Sequence, residues 1–479
     1  MARPEQLLEA STALRRFGLG ARPGDLARIA DDPRGFVAAQ AQKATSGAFA
    51  NTLPDTPKLL ADVQAFQARQ AMERMKTPDA TMAAAPPDAP ALNTPAGRAI
   101  AARLAATMTP GFEPPKAYQD DALARAKHAI ATDTPFVERL TMFWSNLMCV
   151  AVQKNQIVRA IAGAYEREAI RPFVLGRFAD MLKAVTQHPA MLAYLDNDQS
   201  IGPDSPAGQR SGKGLNENLA RETLELHSVG VNGGYSQADV TELARIITGW
   251  RISRLRDAAA PGHFLFDRNA HQPGTFTVMG KTYAQPGALQ GEAVLADLAR
   301  HPATATYIAT KLAAHFVATD PPAALVSKLA RTFRDSDGDL REVSLTLAKA
   351  DEAWAPPPAK FIPPYDFRVA TYRLIGAAPD DKFVRQGPDF GQRIWDVPSP
   401  KGWPDDDVVW AAPYAVLERA DWADAVGRRV GGSTRDVMAL ADDVMGPVLK
   451  PDTRQAIGRA DSRNQALALL IASSEFQTR

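Results

Sequence analysis

The chain has 479 residues, with 55 Lys and Arg against 54 Asp and Glu, and a formal net charge of +1. That balance argues against a dedicated nucleic-acid binder, whose phosphate contacts need a basic surplus, and offers an anionic membrane surface no hold. The one cysteine, Cys149, excludes an intrachain disulfide and any cysteine-based zinc or iron–sulfur site.

No apolar run reaches the length of a membrane span, so no membrane insertion is expected. The opening MARPEQLLEA lacks the apolar core of a signal peptide, so the expected location is cytoplasmic. Residues 1–74 read as an N-terminal helical segment. Residues 75–97 are rich in Ala, Pro, Thr and Asp and read as a linker or long loop. Residues 98–479 read as the main helical domain.

Thr134-Pro135 opens a helix, with Thr as N-cap and Pro at the first helical position. The stretch from Phe136 to Val152 is largely apolar all round, which marks a buried helix. Tyr165 to Asp196 reads as one or two more helices. Ser236 and Asp239 form a capping-box pattern, and Val240, Leu243, Ala244 and Ile247 follow helical spacing behind it. His188-Pro189-Ala190 and His301-Pro302-Ala303 both read as helix starts. Asp339 with Glu342 gives a second capping pattern, and Asn464 to Phe476 reads as a final helix. Strand signal is confined to Phe264–Phe266 and Thr275–Tyr283, where Met279-Gly280-Lys281 predicts a tight hairpin. The expected fold is mainly α: a multi-helix globular body with one small inserted β-ribbon at about 264–283.

The chain contains no GxSxG elbow, HExxH pair or GxxxxGK[ST] loop. Asp335 to Asp339 has a calcium-loop flavour, but Leu340 and Thr346 stand where an EF-hand needs Gly and Glu. The most informative stretch is Leu215 to Trp250. With Asn216 as N-cap, Asn218, Arg221, Glu222 and Glu225 share one helix face. Two readings stay open: a solvated face stitched by weak ion pairs, or a polar stripe lining a cleft. His227 falls on the opposite face, where a hydrogen-bonded core role is expected. His271 sits in a loop before the hairpin and is the better site candidate. The other five histidines, His315 among them, have no supporting context.

Several blocks together resemble the large bacterial family catalogued as domain of unknown function 1800. They include Arg16-Phe17-Gly18-Leu19-Gly20, Phe143-Trp144-Ser145-Asn146, Tyr165 to Pro172, Tyr194 to Asn197 and Asn216 to Glu222. Glu225-Leu226-His227, Asp239 to Trp250, His271 with Pro273-Gly274, Ser399 to Pro404 and Ser474-Glu475-Phe476 complete the set. The resemblance implies a mostly helical fold and no established activity. It also implies association with an exported, sulfatase-like protein, and with it a periplasmic alternative for location. Relatives of this type carry His where this chain has Leu147 and Phe173. If those positions face each other, they would complete a metal-binding cluster with His227, His271 and Glu222. Imidazole and carboxylate suit a divalent transition metal. Here that cluster would be incomplete.

Two function classes follow, and the sequence leaves the choice between enzyme and non-enzyme open. The first is a non-catalytic binding or scaffold protein that partners a sulfatase-like protein, with no nucleic acid involved. It predicts a large apolar or mixed surface patch. The alternative is a metal-dependent or hydrolase-like enzyme with a Glu/His/Arg site. In that version Glu222 or Glu225 is general base or ligand, Arg221 clamps an anion and His271 serves as acid/base. Asn216 and Asn218, with Trp250, would hold substrate.

Overall fold

The computed structural model describes residues 3–43, 53–74, 108–212, 214–254, 261–355, 360–433 and 436–479, with a few isolated residues between 95 and 106. The Ala/Pro-rich tract at 75–97 falls, but for one residue, outside them. The protein is mainly α. Among the described residues no helix is long and apolar enough to cross a membrane.

The chain opens with helix α1 (Pro4–Thr12), which runs directly into a π-helical turn (Ala13–Phe17). Phe17 at its end packs against Phe136, Phe316 and Trp354, with ring centroids 5.9, 6.1 and 4.7 Å away. One buried apolar cluster therefore spans the chain from Ala10 to Phe476. Helix α2 (Pro114–Ala131) turns Tyr118, Asp121, Arg125 and His128 to one face by their spacing. Helix α3 (Pro135–Leu147) is buried on nearly every side, as its composition predicts. It ends at Leu147, earlier than the expected Val152. Beyond it the backbone extends, Ala151 bridges Asp396 and the Val152 amide donates to the Trp395 carbonyl at 2.8 Å. Thr134 holds the cap position, but its hydroxyl bonds Thr132 at 3.2 Å rather than a backbone amide.

Helix α4 (Gln156–Tyr165) also passes into a π turn (Glu166–Ile170), followed by a short 3-10 turn (Arg171–Phe173) and helix α5 (Phe178–Gln187). The stretch expected to hold one or two helices is thus more broken, because Pro172 and the π turn interrupt the ladder. Both His-Pro-Ala sequences are helix starts of one design. His188 Nδ1 accepts the Ala190 amide at 3.1 Å, and His301 Nδ1 accepts the Ala303 amide at 3.2 Å.

Helix α6 (Asn218–Glu225) and helix α7 (Gln237–Ile246) follow, the second closed by the predicted reciprocal capping box of Ser236 and Asp239. Four short strands come next: β1 (Trp250–Ile252), β2 (Phe264–Phe266), β3 (Phe276–Val278) and β4 (Lys281–Tyr283). β1 pairs antiparallel with β2, and β3 with β4, so the expected single ribbon is two separate two-stranded sheets. Met279 and Gly280 turn the second hairpin with φ of 47° and 77°, the left-handed pair that matches strand twist.

Helix α8 (Pro302–Phe316) begins at His301 as predicted. Asp339 accepts the Arg341 and Glu342 amides and caps the helix Leu340–Lys349. Helix α9 (Pro364–Ile375) is almost wholly buried. Helix α10 (Pro413–Val430) packs on helix α11 (Arg463–Ala472), and Gly427 permits the contact, since a Cβ there would lie 2.3 Å from the Asn464 carbonyl oxygen. The final helix stops at Ala472, short of the expected Phe476, because Ser473 turns the chain and its hydroxyl accepts the Phe476 amide.

Candidate functional site

The polar stripe on α6 sits between that helix and α7. Asn216 lies two residues before the helix, where its Oδ1 accepts the Asn218 amide at 2.9 Å; Asn218 itself is exposed. Arg221 pairs with Glu217 at 3.0 Å and donates to Gln237 Oε1 at 2.9 Å. Glu217 also accepts from Gln237 and Thr241. Arg221 is therefore committed to a half-exposed seam between two helices. Glu222 is half-buried. Burial, then the neighbouring Glu225 charge, pushes its carboxyl up, against the pull of Arg221 and Lys401. Glu225 accepts the Tyr235 hydroxyl at 3.3 Å.

His227 is buried, its Nδ1 has no partner among the described residues, and burial holds it down at about 4. His271 Nδ1 donates to the Thr248 carbonyl at 3.1 Å and its ring packs on Phe266 at 5.0 Å. Trp250 is fully buried, edge-on to Phe264 at 5.3 Å. Leu147 is buried and Phe173 partly so. Among the described residues no three or more His, Cys, Asp or Glu side chains lie where they could hold a metal ion.

A second constellation lies around the C-terminal end of α3, in a cleft of ≈ 80 Å³. Met142, Ser145 and Asn146 of α3, with Cys149 just beyond, line one wall. The loop Ser399–Pro404 closes over them. Asn146 Nδ2 donates to the Trp403 carbonyl at 2.9 Å, and Asn146 Oδ1 accepts the Trp403 amide at 2.8 Å. Gly402 is required here: its φ is 77°, and a Cβ would sit 2.5 Å from the Asn146 carbonyl oxygen. The Cys149 thiol donates to the Pro400 carbonyl at 3.3 Å, and burial pushes it up to about 12.

Behind that wall lies a buried carboxylate, Glu166, at the start of the π turn. It accepts from Arg125 Nε at 2.9 Å, Arg171 Nη2 at 2.7 Å, Ser145 Oγ at 2.8 Å and Trp395 Nε1 at 2.9 Å. Glu138 receives the other face of Arg171 at 2.6 and 2.8 Å. Burial alone would raise both carboxyls; the arginines more than offset it and hold both below the usual range. Trp395 reaches Glu166 from a left-handed backbone, φ 51°, which costs a bulky residue about 1–2 kcal/mol.

The opposite wall carries His315 of α8 and Asp405. His315 Nδ1 faces Asp405 Oδ1 at 3.2 Å, and its Nε2 has no partner among the described residues. Burial holds His315 at about 4, so the neutral ring donates from Nδ1. Tyr365 and Asp366 of α9 complete this side. Asp366 Oδ2 accepts from Arg139 at 2.8 Å and Arg479 at 2.7 Å.

A family model described as "Protein of unknown function (DUF1800)" matches residues 12–478. The chain belongs to this family. No curated protein and no solved structure matches it. In this DUF1800 chain three of the sequence blocks that carry the resemblance converge in space. Phe143–Asn146, Tyr165–Pro172 and Ser399–Pro404 meet at the cleft through the Ser145–Glu166 and Asn146–Trp403 bonds. Arg16–Gly20 and Ser474–Phe476 meet elsewhere, where the adjoining Arg15 bonds the Glu475 carbonyl.

Reading the sequence did not single out Glu138, Glu166, Arg171, His315, Tyr365, Trp395 or Asp405. One signal was available: Glu138-Arg139 interrupts a helix that is otherwise apolar, and a charge there needs a buried partner.

Proposed function

We propose that this chain is a non-catalytic binding protein that docks a protein partner on the surface at residues 408–417. One observation carries the reading. Among the described residues eight large apolar side chains are exposed, and five of them, Val408, Val409, Tyr414, Val416 and Leu417, fall within this short stretch. Apolar side chains scattered singly need no explanation, but a cluster marks a contact surface. Asp406 and Asp421 stand exposed near it in sequence, so a basic rim on the partner is favoured over nucleic acid. The surface is tied to the cleft, because Trp410 donates from Nε1 to the Pro404 carbonyl at 3.1 Å and its ring lies 5.9 Å from Trp403.

The partner class implied by the resemblance is an exported, sulfatase-like protein, and the two must then share a compartment. The test is co-expression of the full chain with an exported protein of the sulfatase-like class, followed by size-exclusion chromatography. Val408→Asp with Leu417→Asp should break the complex while leaving the fold's stability within about 0.5 kcal/mol. No complex, or one that tolerates both substitutions, defeats the reading.

A second reading is an enzyme that uses His315 as general base in the cleft. It is favoured by the Asp405–His315 pair, which leaves Nε2 as an acceptor in the manner of a hydrolytic relay, although that nitrogen is itself buried. Against it, Ser145 has given its hydroxyl to Glu166, and the Cys149 thiol is held protonated. Hydrolysis of a generic ester or amide panel that is lost in His315→Gln would support this second reading.

A further inference from the structure

α1 and the π turn after it line a groove of ≈ 570 Å³, together with Trp354, Val448 and Arg479. Four arginines line it; Arg3 is exposed, and the other three set its chemistry. Arg15 gives Nη2 to the carbonyls of Glu475 and, at 2.5 Å, Thr478. Arg16 gives Nη1 to the carbonyls of Ala353 at 2.8 Å and Ala355 at 2.9 Å. Arg479 gives Nη2 to the His315 carbonyl at 2.8 Å and Nη1 to Asp366, a carboxylate it shares with Arg139.

Carbonyl oxygens satisfy hydrogen bonds, but they do not neutralise charge. The acids nearby are largely engaged. Glu9 pairs with Arg34 at 3.1 Å, and the Glu475 carboxylate accepts from the Lys450 amide at 2.8 Å and Ser474 Oγ at 2.7 Å. Glu5 is exposed at the edge. Among the described residues three buried polar atoms of the lining have no partner: Arg16 Nε, Arg479 Nε and Ser11 Oγ. Arg16 and Arg479 are each 6% exposed and Ser11 is 1% exposed.

We propose that this groove is a binding site for a ligand bearing a tetrahedral oxyanion, a phosphate or sulfate group, held by Arg15, Arg16 and Arg479. The guanidinium fork matches such oxygens, and an anion there would supply the charge that the carbonyls do not. The groove has room for a ligand larger than a free ion. Burial pushes Arg15 and Arg16 down to about 10 and Arg479 down to about 9, so all three still carry charge at neutral pH.

The test is thermal unfolding of the full chain in inorganic phosphate or inorganic sulfate, with chloride holding ionic strength constant. A ligand that binds only the folded state raises Tm saturably. Such a rise with either ion is expected, and which ion gives it identifies the oxyanion. Arg15→Gln and Arg16→Gln, each read against its own ion-free Tm, should weaken the apparent affinity by about tenfold or more, the loss of one charge-assisted hydrogen bond. Arg28→Gln, outside the groove, should not. If Arg16→Gln does not fold, Arg15→Gln, at a partly exposed position, decides alone. No saturable rise beyond chloride with either ion, or a rise that the Arg15 and Arg16 variants keep, overturns the proposal.

Discussion

Asn146 holds the Trp403 residue by both of its backbone groups, donating to its carbonyl at 2.9 Å and accepting its amide at 2.8 Å. One side chain thus does the work of a strand partner and fixes the Ser399–Pro404 loop over the cleft. Asn146→Ala removes both bonds and leaves a partly buried amide and carbonyl unsatisfied. The expected loss is about 1–3 kcal/mol, measured by urea unfolding. Gly402→Ala should cost a similar amount by a different route, since the new methyl meets the Asn146 carbonyl oxygen. Gly391→Ala is the comparison, with a similar φ of 70° but open space around it, and should cost less.

Glu166 bonds two arginines, one serine and one indole, none of them adjacent in sequence. Glu166→Gln strands the Arg125 charge in the interior and leaves Arg171 with Glu138 as its carboxylate partner. A loss of about 3–5 kcal/mol is expected, the cost of removing one partner from a buried ion pair. Ser145→Ala removes a single bond to the same carboxylate and should cost about 1.5–3 kcal/mol. Equal effects in the two variants would mean that the carboxylate is not the hub.

The contrast between α7 and Glu166 explains what could be read in advance. The Ser236–Asp239 cap, the two His-Pro-Ala starts and the Met279-Gly280 turn rest on neighbours in sequence, and all form as predicted. Glu166 could not be read that way. Its flanking arginines at 167 and 171 suggest a surface helix stitched by local pairs, yet its partners include Arg125 and Trp395, the latter 229 positions away. Strand β1 was hidden for a similar reason: its partner β2 begins only at Phe264, and three residues of alternating burial carry little periodicity. The stripe on α6 was legible as a helix face, but whether Arg221 served a cleft or a seam depended on Gln237 of the next helix.

His227 and His315 predict a pH dependence of stability. Burial is the main cause in both, and both stay neutral down to about 4 in the folded chain, against about 6.5 when unfolded. Between those values the unfolded state binds the protons and the folded state does not. Stability therefore falls as pH drops from about 6.5 to 4, by up to about 1.4 kcal/mol per unit for each histidine, and this loss stops below about 4. His227→Leu should flatten the slope of ΔG against pH by up to one proton in that window. An unchanged slope in the variant would show that His227 is not buried neutral.

Glu138 and Glu166 act further down the scale. Their folded carboxyls lie below the ordinary value of about 4.3. Their contribution is complete above that value and is lost as pH falls below it, toward the folded values. A second descent in stability is therefore expected at more acid pH than the histidine window. Circular dichroism on the wild type and on Glu138→Gln should show it shrink in the variant.

Cys149 reports on the loop without any added probe. Its thiol is buried, bonded to the Pro400 carbonyl and pushed up to about 12, and only the thiolate reacts with alkylating reagents. Labelling by iodoacetamide near neutral pH should therefore be slow in the folded chain and require opening of the Ser399–Pro404 loop. Asn146→Ala, which frees Trp403, should raise the labelling rate by a factor that follows its lost stability, about tenfold for each 1.4 kcal/mol if the loop opens as a unit. A partner seated on Val408, Tyr414 and Leu417 should slow labelling, because Trp410 links that surface to Pro404 and Trp403. If the Asn146 variant labels no faster than the wild type, the loop is held by contacts other than the Asn146 clamp.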